Sequence, residues 1–108
     1  MFFKIEIYVP ATHAETLRAA VADAGAGRLG NYDSCIWSTA GTGQFRPLAG
    51  SSPAIGSVGK LETVPEVKLE TICDREHLRA VIAAIRAGHP YETPAFQFWP
   101  VSLDESEV

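Results

Sequence analysis

Leu78, Val81, Ile82 and Ile85 fall at i, i+3, i+4 and i+7, the most regular helical stripe in the chain, and Gly88-His89-Pro90 cuts it short. A glycine after the last turn can take the left-handed cap conformation, while Pro90 bars the helix from resuming and biases His89 towards extended geometry. The following run, Pro94-Ala95-Phe96-Gln97-Phe98-Trp99-Pro100-Val101, is aromatic and bounded by prolines, which suits an edge or terminal strand better than a central one. The chain must therefore stop a helix and hand over to an edge strand. That junction carries His89, Tyr91 and Glu92, where polar side chains can face solvent, a neighbouring subunit or a ligand.

Earlier segments supply the partners for this helix and strand. Phe3, Ile5, Ile7 and Val9 alternate with Lys4, Glu6 and Tyr8, the pattern of a half-buried strand that Pro10 closes. Thr12-His13-Ala14-Glu15 matches a capping box, and a helix with Ala14, Leu17, Val21 and Ala24 on its apolar side follows to about Ala24. Gly25-Ala26-Gly27 ends it. A second strand is expected over Tyr32 to Ser38. A long loop then spans Thr39 to Gly59, with glycines at 41, 43, 50, 56 and 59. A third strand runs from Lys60 to Thr71, bent or bulged at Pro65, and Asp74 caps the second helix. The order β-α-β-β-α-β predicts an α+β, ferredoxin-like fold: a four-stranded antiparallel sheet with both helices on one face. Residues 1–101 form this single domain, and residues 102–108 an acidic, frayed tail. The second sheet face has no helix over it. Phe2, Tyr8, Ile36 or Trp37, and Phe96 or Phe98 are its candidate lining, an aromatic patch that favours association with other copies.

With 108 residues, 46% of them hydrophobic, the chain fits one globular core, and a domain of this size gains from burying more surface in an oligomer. Nine basic against thirteen acidic residues give a formal charge of -4, which offers no concentrated basic surface for nucleic acid. No membrane role is indicated. The first residues alternate at once, with no basic segment leading into an apolar one, so no signal peptide is read and the cytoplasm is the expected location. Cys35 and Cys73 are read as reduced packing thiols rather than a disulfide or a nucleophile.

The candidate site joins two segments. In the loop, Gly41 and Gly43 permit close backbone approach, so that amides can gather around an anion beside Gln44, with Phe45 offering a stacking face and Arg46 a charge. No Walker or Rossmann fingerprint is present, and packing of the loop on a neighbouring subunit is the alternative. At the junction, His89 is either a ligand-binding imidazole or a group that fixes the turn, while Glu92 can accept from His89 or Tyr91 or pair with Arg46. The expectation is that the loop meets the His89–Glu92 junction of the same or a neighbouring subunit. A small anionic molecule would be held there, with Phe45 or Tyr91 stacking on it. A divalent metal is the competing ligand, with His89 and Glu92 as its donors; no other cofactor is indicated.

Three segments in order carry a resemblance: Gly25-Ala26-Gly27-Arg28-Leu29-Gly30-Asn31-Tyr32-Asp33-Ser34-Cys35, Gly41-Thr42-Gly43-Gln44-Phe45-Arg46-Pro47 and Gly88-His89-Pro90-Tyr91-Glu92-Thr93-Pro94. They resemble the small YqfO-type domain inserted in Nif-three family proteins, and its stand-alone bacterial relatives, over about Phe3 to Val101. His89-Pro90-Tyr91-Glu92 is also similar to a stretch of the CutA proteins, ferredoxin-like trimers related in architecture to the PII signalling proteins. The resemblance places the Nif-three dinuclear metal site in lobes flanking the insert, so neither that site nor its hydrolase chemistry is carried over. Thr93 stands where that family often has an acidic residue, and Phe96 where tyrosine is common. Together these imply a non-enzymatic, PII- or CutA-like binding or regulatory module, working as a homo-oligomer, most simply a trimer. The alternative is a small metal-dependent hydrolase or cyclohydrolase-like enzyme.

Overall fold

In the computed structural model, which describes residues 1–108, strand β1 (Phe2–Pro10) leads directly into helix α1 (Ala11–Asp23). A long β2–β3 hairpin (Ile36–Phe45 and Glu62–Asp74), helix α2 (Arg75–Gly88) and strand β4 (Ala95–Val101) complete the order. The sheet is antiparallel throughout with strand order β2-β3-β1-β4, the ferredoxin-like arrangement expected from the element order. The alternation of β1 decides its faces: Phe3, Ile5, Ile7 and Val9 are buried, and each turns the same way as Leu69, Thr71 and Cys73 on β3. Both helices lie on that side. Ala14, Leu17 and Val21 of α1 and Val81 and Ile85 of α2 complete the core. Asp74 caps α2, its Oδ1 accepting from the His77 N–H at 2.9 Å.

Several local expectations give way to tertiary structure. The second strand is Ile36–Phe45 rather than Tyr32–Ser38, so Gly41 and Gly43 lie in a strand and the connecting loop shrinks to residues 46–61. Their small, exposed neighbours carry no apolar period; pairing with β3, from Ile36 opposite Thr71 to Phe45 opposite Glu62, makes the strand. Residues 29–32 instead form a tight turn in which Leu29 and Tyr32 exchange backbone hydrogen bonds of 2.9 and 3.0 Å. Pro65 does not bulge β3, because its register with Thr42 is unbroken. Strand β1 pairs with β3 only as far as Pro10 opposite Glu66, so Pro65 has one neighbouring strand and no second ladder to donate to. Residues 42–45 and 62–65 thus extend past β1 as a two-stranded arm, in a molecule measuring 50 × 26 × 23 Å.

Thr12 is not a cap either. Helix α1 starts two residues earlier, with Pro10 in the cap position, no side chain caps it, and the Thr12 hydroxyl pairs with His13 Nδ1 at 2.9 Å. Gly88 keeps a negative φ; α2 ends because His89 turns extended, its N–H still bonded to the Ile85 carbonyl at 2.9 Å. The reason for glycine there is packing: a Cβ would stand 3.0 Å from Leu17 Cδ1. On the open face the register places Phe2, Tyr8, Trp37 and Trp99, whereas Ile36, Phe96 and Phe98 turn to the helix side, where Phe98 meets Phe3 edge-on at 6.3 Å. Between the two tryptophans runs a charged ladder in which Lys4 pairs with Glu70 and Lys68 with Glu6, both at 3.3 Å. The tail holds one turn of 3₁₀ helix, Glu105–Glu107, with Asp104 accepting from the Ser106 N–H at 2.9 Å.

Candidate functional site

The end of β2, the loop after it and the turn between α2 and β4 converge at one end of the sheet. His89 anchors the turn. It is 6% exposed, and its ring reaches back across the fold so that Nε2 stands 2.6 Å from the Tyr8 carbonyl on β1. Its Nδ1 accepts the Tyr91 N–H at 3.2 Å, which fixes the tautomer: the proton sits on Nε2 and is donated to Tyr8. Burial lowers its pKa below the ordinary imidazole value, outweighing the hydrogen bond to Tyr8 and the charge of Glu66. His89 is therefore neutral near pH 7 with both ring nitrogens engaged.

The backbone set by His89 presents Tyr91 to Phe45, edge to face with centroids 5.4 Å apart, and the Tyr91 hydroxyl donates to Glu66 Oε2 at 2.8 Å. Burial first, and then Glu66, push the Tyr91 phenol above its usual range, so it remains a donor. Gly43 makes this geometry possible. A Cβ at that position would overlap the Glu66 carboxylate, which lies over the bare strand backbone on its way to Tyr91. Glu92, one residue further on, ties down the loop: its Oε2 accepts the Ser52 N–H at 3.0 Å.

These contacts frame a cleft of ≈ 420 Å³. Phe45, Pro47, Leu48, Pro53 and Ile55 give it apolar walls, and Gln44, Arg46, Glu66, Tyr91 and Glu92 bring polar groups to it. Of the residues singled out in the sequence, Gln44, Phe45, Arg46, Tyr91 and Glu92 line one cleft within one chain. Gly43 acts through Glu66, Gly41 lies in β2 opposite Glu66, and His89 stands behind the turn as its anchor. Some of the loop amides are committed within the chain: Ser51 N–H is bonded to the Leu48 carbonyl, Gly59 N–H to Pro47 and Ser52 N–H to Glu92. Glu66 was not singled out. In the sequence it is one more polar residue beside Pro65, and only the glycine two places from Gly41 on the paired strand hints at a side chain needing room.

A separate group, Asp74, Glu76 and His77, has ligand atoms within 4.8 Å of one another at the start of α2. Asp74 Oδ1 is occupied there by the His77 N–H and by His77 Nδ1 at 2.7 Å, the bonds of a helix cap. Asp74 pairs opposite the β1 residue Phe2, so this group stands at the sheet end opposite the cleft.

No protein-family model matches the sequence. It is 53% identical over 93 residues to a Mycobacterium tuberculosis protein named GTP cyclohydrolase 1 type 2 homolog, covering 86% of this chain and 24% of the relative. A Bacillus subtilis protein of the same name is 45% identical over 104 residues, 96% of this chain and 28% of that one. The chain thus spans about a quarter of the length of the curated relatives it matches. Among solved structures, a Bacillus cereus protein related to NIF3 superposes with a TM-score of 0.80 at 44% identity, over 93% of this chain and 25% of that one. The periplasmic divalent cation tolerance protein CutA from Archaeoglobus fulgidus superposes with a TM-score of 0.67 at 20% identity, over 99% of this chain and 90% of that one, a likeness of fold alone.

Proposed function

The chain is a homologue of one segment, about a quarter of the whole, of the proteins named GTP cyclohydrolase 1 type 2 homolog, and on that premise we propose a non-enzymatic binding module. It works as a homo-oligomer, a trimer by its likeness to CutA in the His89–Glu92 stretch, and takes a small ligand in the cleft of residues 44–55 and 91–92. The observation that carries the reading is the joining of two sequence-distant segments by Phe45 against Tyr91 and Ser52 against Glu92 around an open cleft with free polar groups. A sheet-and-helix core has no need of that arrangement. The activity in the relatives' name belongs to chains about four times as long, and the cleft pairs a hydroxyl with a carboxylate only at Tyr91 and Glu66, where the phenol is pushed above its usual range rather than activated. Its one hydroxyl besides tyrosine and threonine, Ser51, is bonded to the Leu48 carbonyl at 2.7 Å.

Association draws on the open sheet face, where Trp37 is 70% and Trp99 41% exposed across a ladder of alternating charge. Native mass spectrometry of protein purified gently from its own host tests both halves at once. The expected result is a trimer carrying a small molecule. A monomer at micromolar concentration, confirmed by sedimentation, sinks the assembly half of the reading.

A further inference from the structure

Arg46, Glu66 and Glu92 all face the cleft, and none of them takes part in an ion pair. Each carboxylate has one oxygen committed, Glu66 Oε2 to the Tyr91 hydroxyl and Glu92 Oε2 to the Ser52 N–H, which leaves both Oε1 atoms without a partner. Glu66 is thereby held against the Tyr91 side of the Phe45–Tyr91 ring pair, and Glu92 against the loop on the same cleft. Two fixed carboxylates beside aromatic rings attract an organic cation, because charge and ring quadrupole act in the same sense. Arg46, with no hydrogen bond of its own, adds a place for an acid group. We infer that the occupant of the cleft is a zwitterionic small molecule, its ammonium or guanidinium group held by Glu66 and Glu92 against Tyr91 and Phe45, and its acid group by Arg46.

This inference rests on the cleft being a binding site and names its ligand class. A purely anionic ligand meets two carboxylates for one guanidinium. A divalent metal lacks its expected imidazole, since both nitrogens of His89 are engaged. Gly43 becomes a positioning residue in this scheme, because the notch it leaves is what lets Glu66 reach Tyr91.

Calorimetry with L-arginine, agmatine, valerate and manganese chloride tests it, with the site located by NMR shifts of Tyr91 and Phe45. L-Arginine carries both groups, agmatine only the cation and valerate only the acid. Arginine should bind and shift both rings, agmatine should bind about tenfold more weakly, as expected for one lost charge-assisted hydrogen bond, and valerate should not bind. Glu66→Gln should weaken arginine and agmatine alike by about tenfold, with Glu92→Gln as the second variant should the first fold poorly. Arg46→Ala should bring arginine down to the agmatine level and leave agmatine unchanged. Valerate or manganese shifting Tyr91 and Phe45 where arginine does not, or indifference of arginine to both Glu variants, overturns the zwitterion assignment while keeping a binding cleft. Silence of both rings to all four probes removes the cleft reading as well.

Discussion

At the scale of single residues, His89 shows how a buried titratable group stabilises a turn without titrating at neutral pH. Its folded pKa is lowered, burial being the largest cause, so the unfolded chain takes up this proton more readily than the folded one. The stability it contributes is complete above the unfolded value near 6.5 and is lost as pH falls from there through the folded value. Protonation would also place a hydrogen on Nδ1 against the Tyr91 N–H. The thermal midpoint should therefore drop between about pH 7 and 5 by more than in His89→Gln, and equal pH dependence of the two would contradict this account. The cysteines differ in the same currency. Burial, then Asp74, push the Cys73 thiol up to about 11, whereas Cys35 is partly exposed beside the Asp33 carbonyl. Iodoacetamide at pH 8 should modify Cys35 well before Cys73, measured by peptide mass. Gly43→Ala should cost on the order of 1 kcal/mol in denaturant unfolding by displacing Glu66 and breaking its bond to Tyr91.

At the scale of elements, helix caps separate what the sequence tells from what only the fold decides. Asp74→Ala should cost about 1 kcal/mol, because its side chain accepts the His77 N–H, while Thr12→Ala should be nearly neutral in the same urea titration. Both positions carry acceptable cap residues. The difference is that β1 runs on through Pro10 and starts α1 two residues early, a consequence of strand pairing that the motif does not contain. Strand β1 and the α2 stripe were legible because their apolar residues repeat at the period of the element, although Ile82 proves only partly buried beside Val81 and Ile85. Ile85→Ala should accordingly cost about 2–5 kcal/mol and Ile82→Ala less. Strand β2 was not legible past Ser38, since Thr39, Ala40, Gly41 and Thr42 are exposed and have no period; β3 imposes their conformation. Of the cleft, the aromatic and charged members announced themselves by residue type. Glu66 did not, because its importance depends on a diagonal relation to Gly43 across two strands.

At the scale of the whole molecule, the proposed function divides association and recognition between the open sheet face and the cleft. Trp99→Ala should shift the sedimentation profile towards monomer while leaving the unfolding of the isolated fold little changed, because aromatic anchors hold a large share of interface energy. Loss of fold and assembly together would place Trp99 in the core instead. The cleft, by contrast, takes Gln44 and Phe45 from the arm of residues 42–45 and 62–65, which has no β1 beside it, and much of its lining from the loop that the arm carries. Backbone hydrogen bonds there are supported by a single partner strand, whereas those of β1 and the inner half of β3 are flanked on both sides. Amide hydrogen exchange should divide the chain accordingly: the arm opens as its own cooperative unit at low free energy, and the central strands exchange only through global unfolding. A ligand in the cleft, as proposed, would bind the closed arm alone and slow that opening by mass action, so its occupancy should be read as protection at residues 42–45 with no change at residues 4–8.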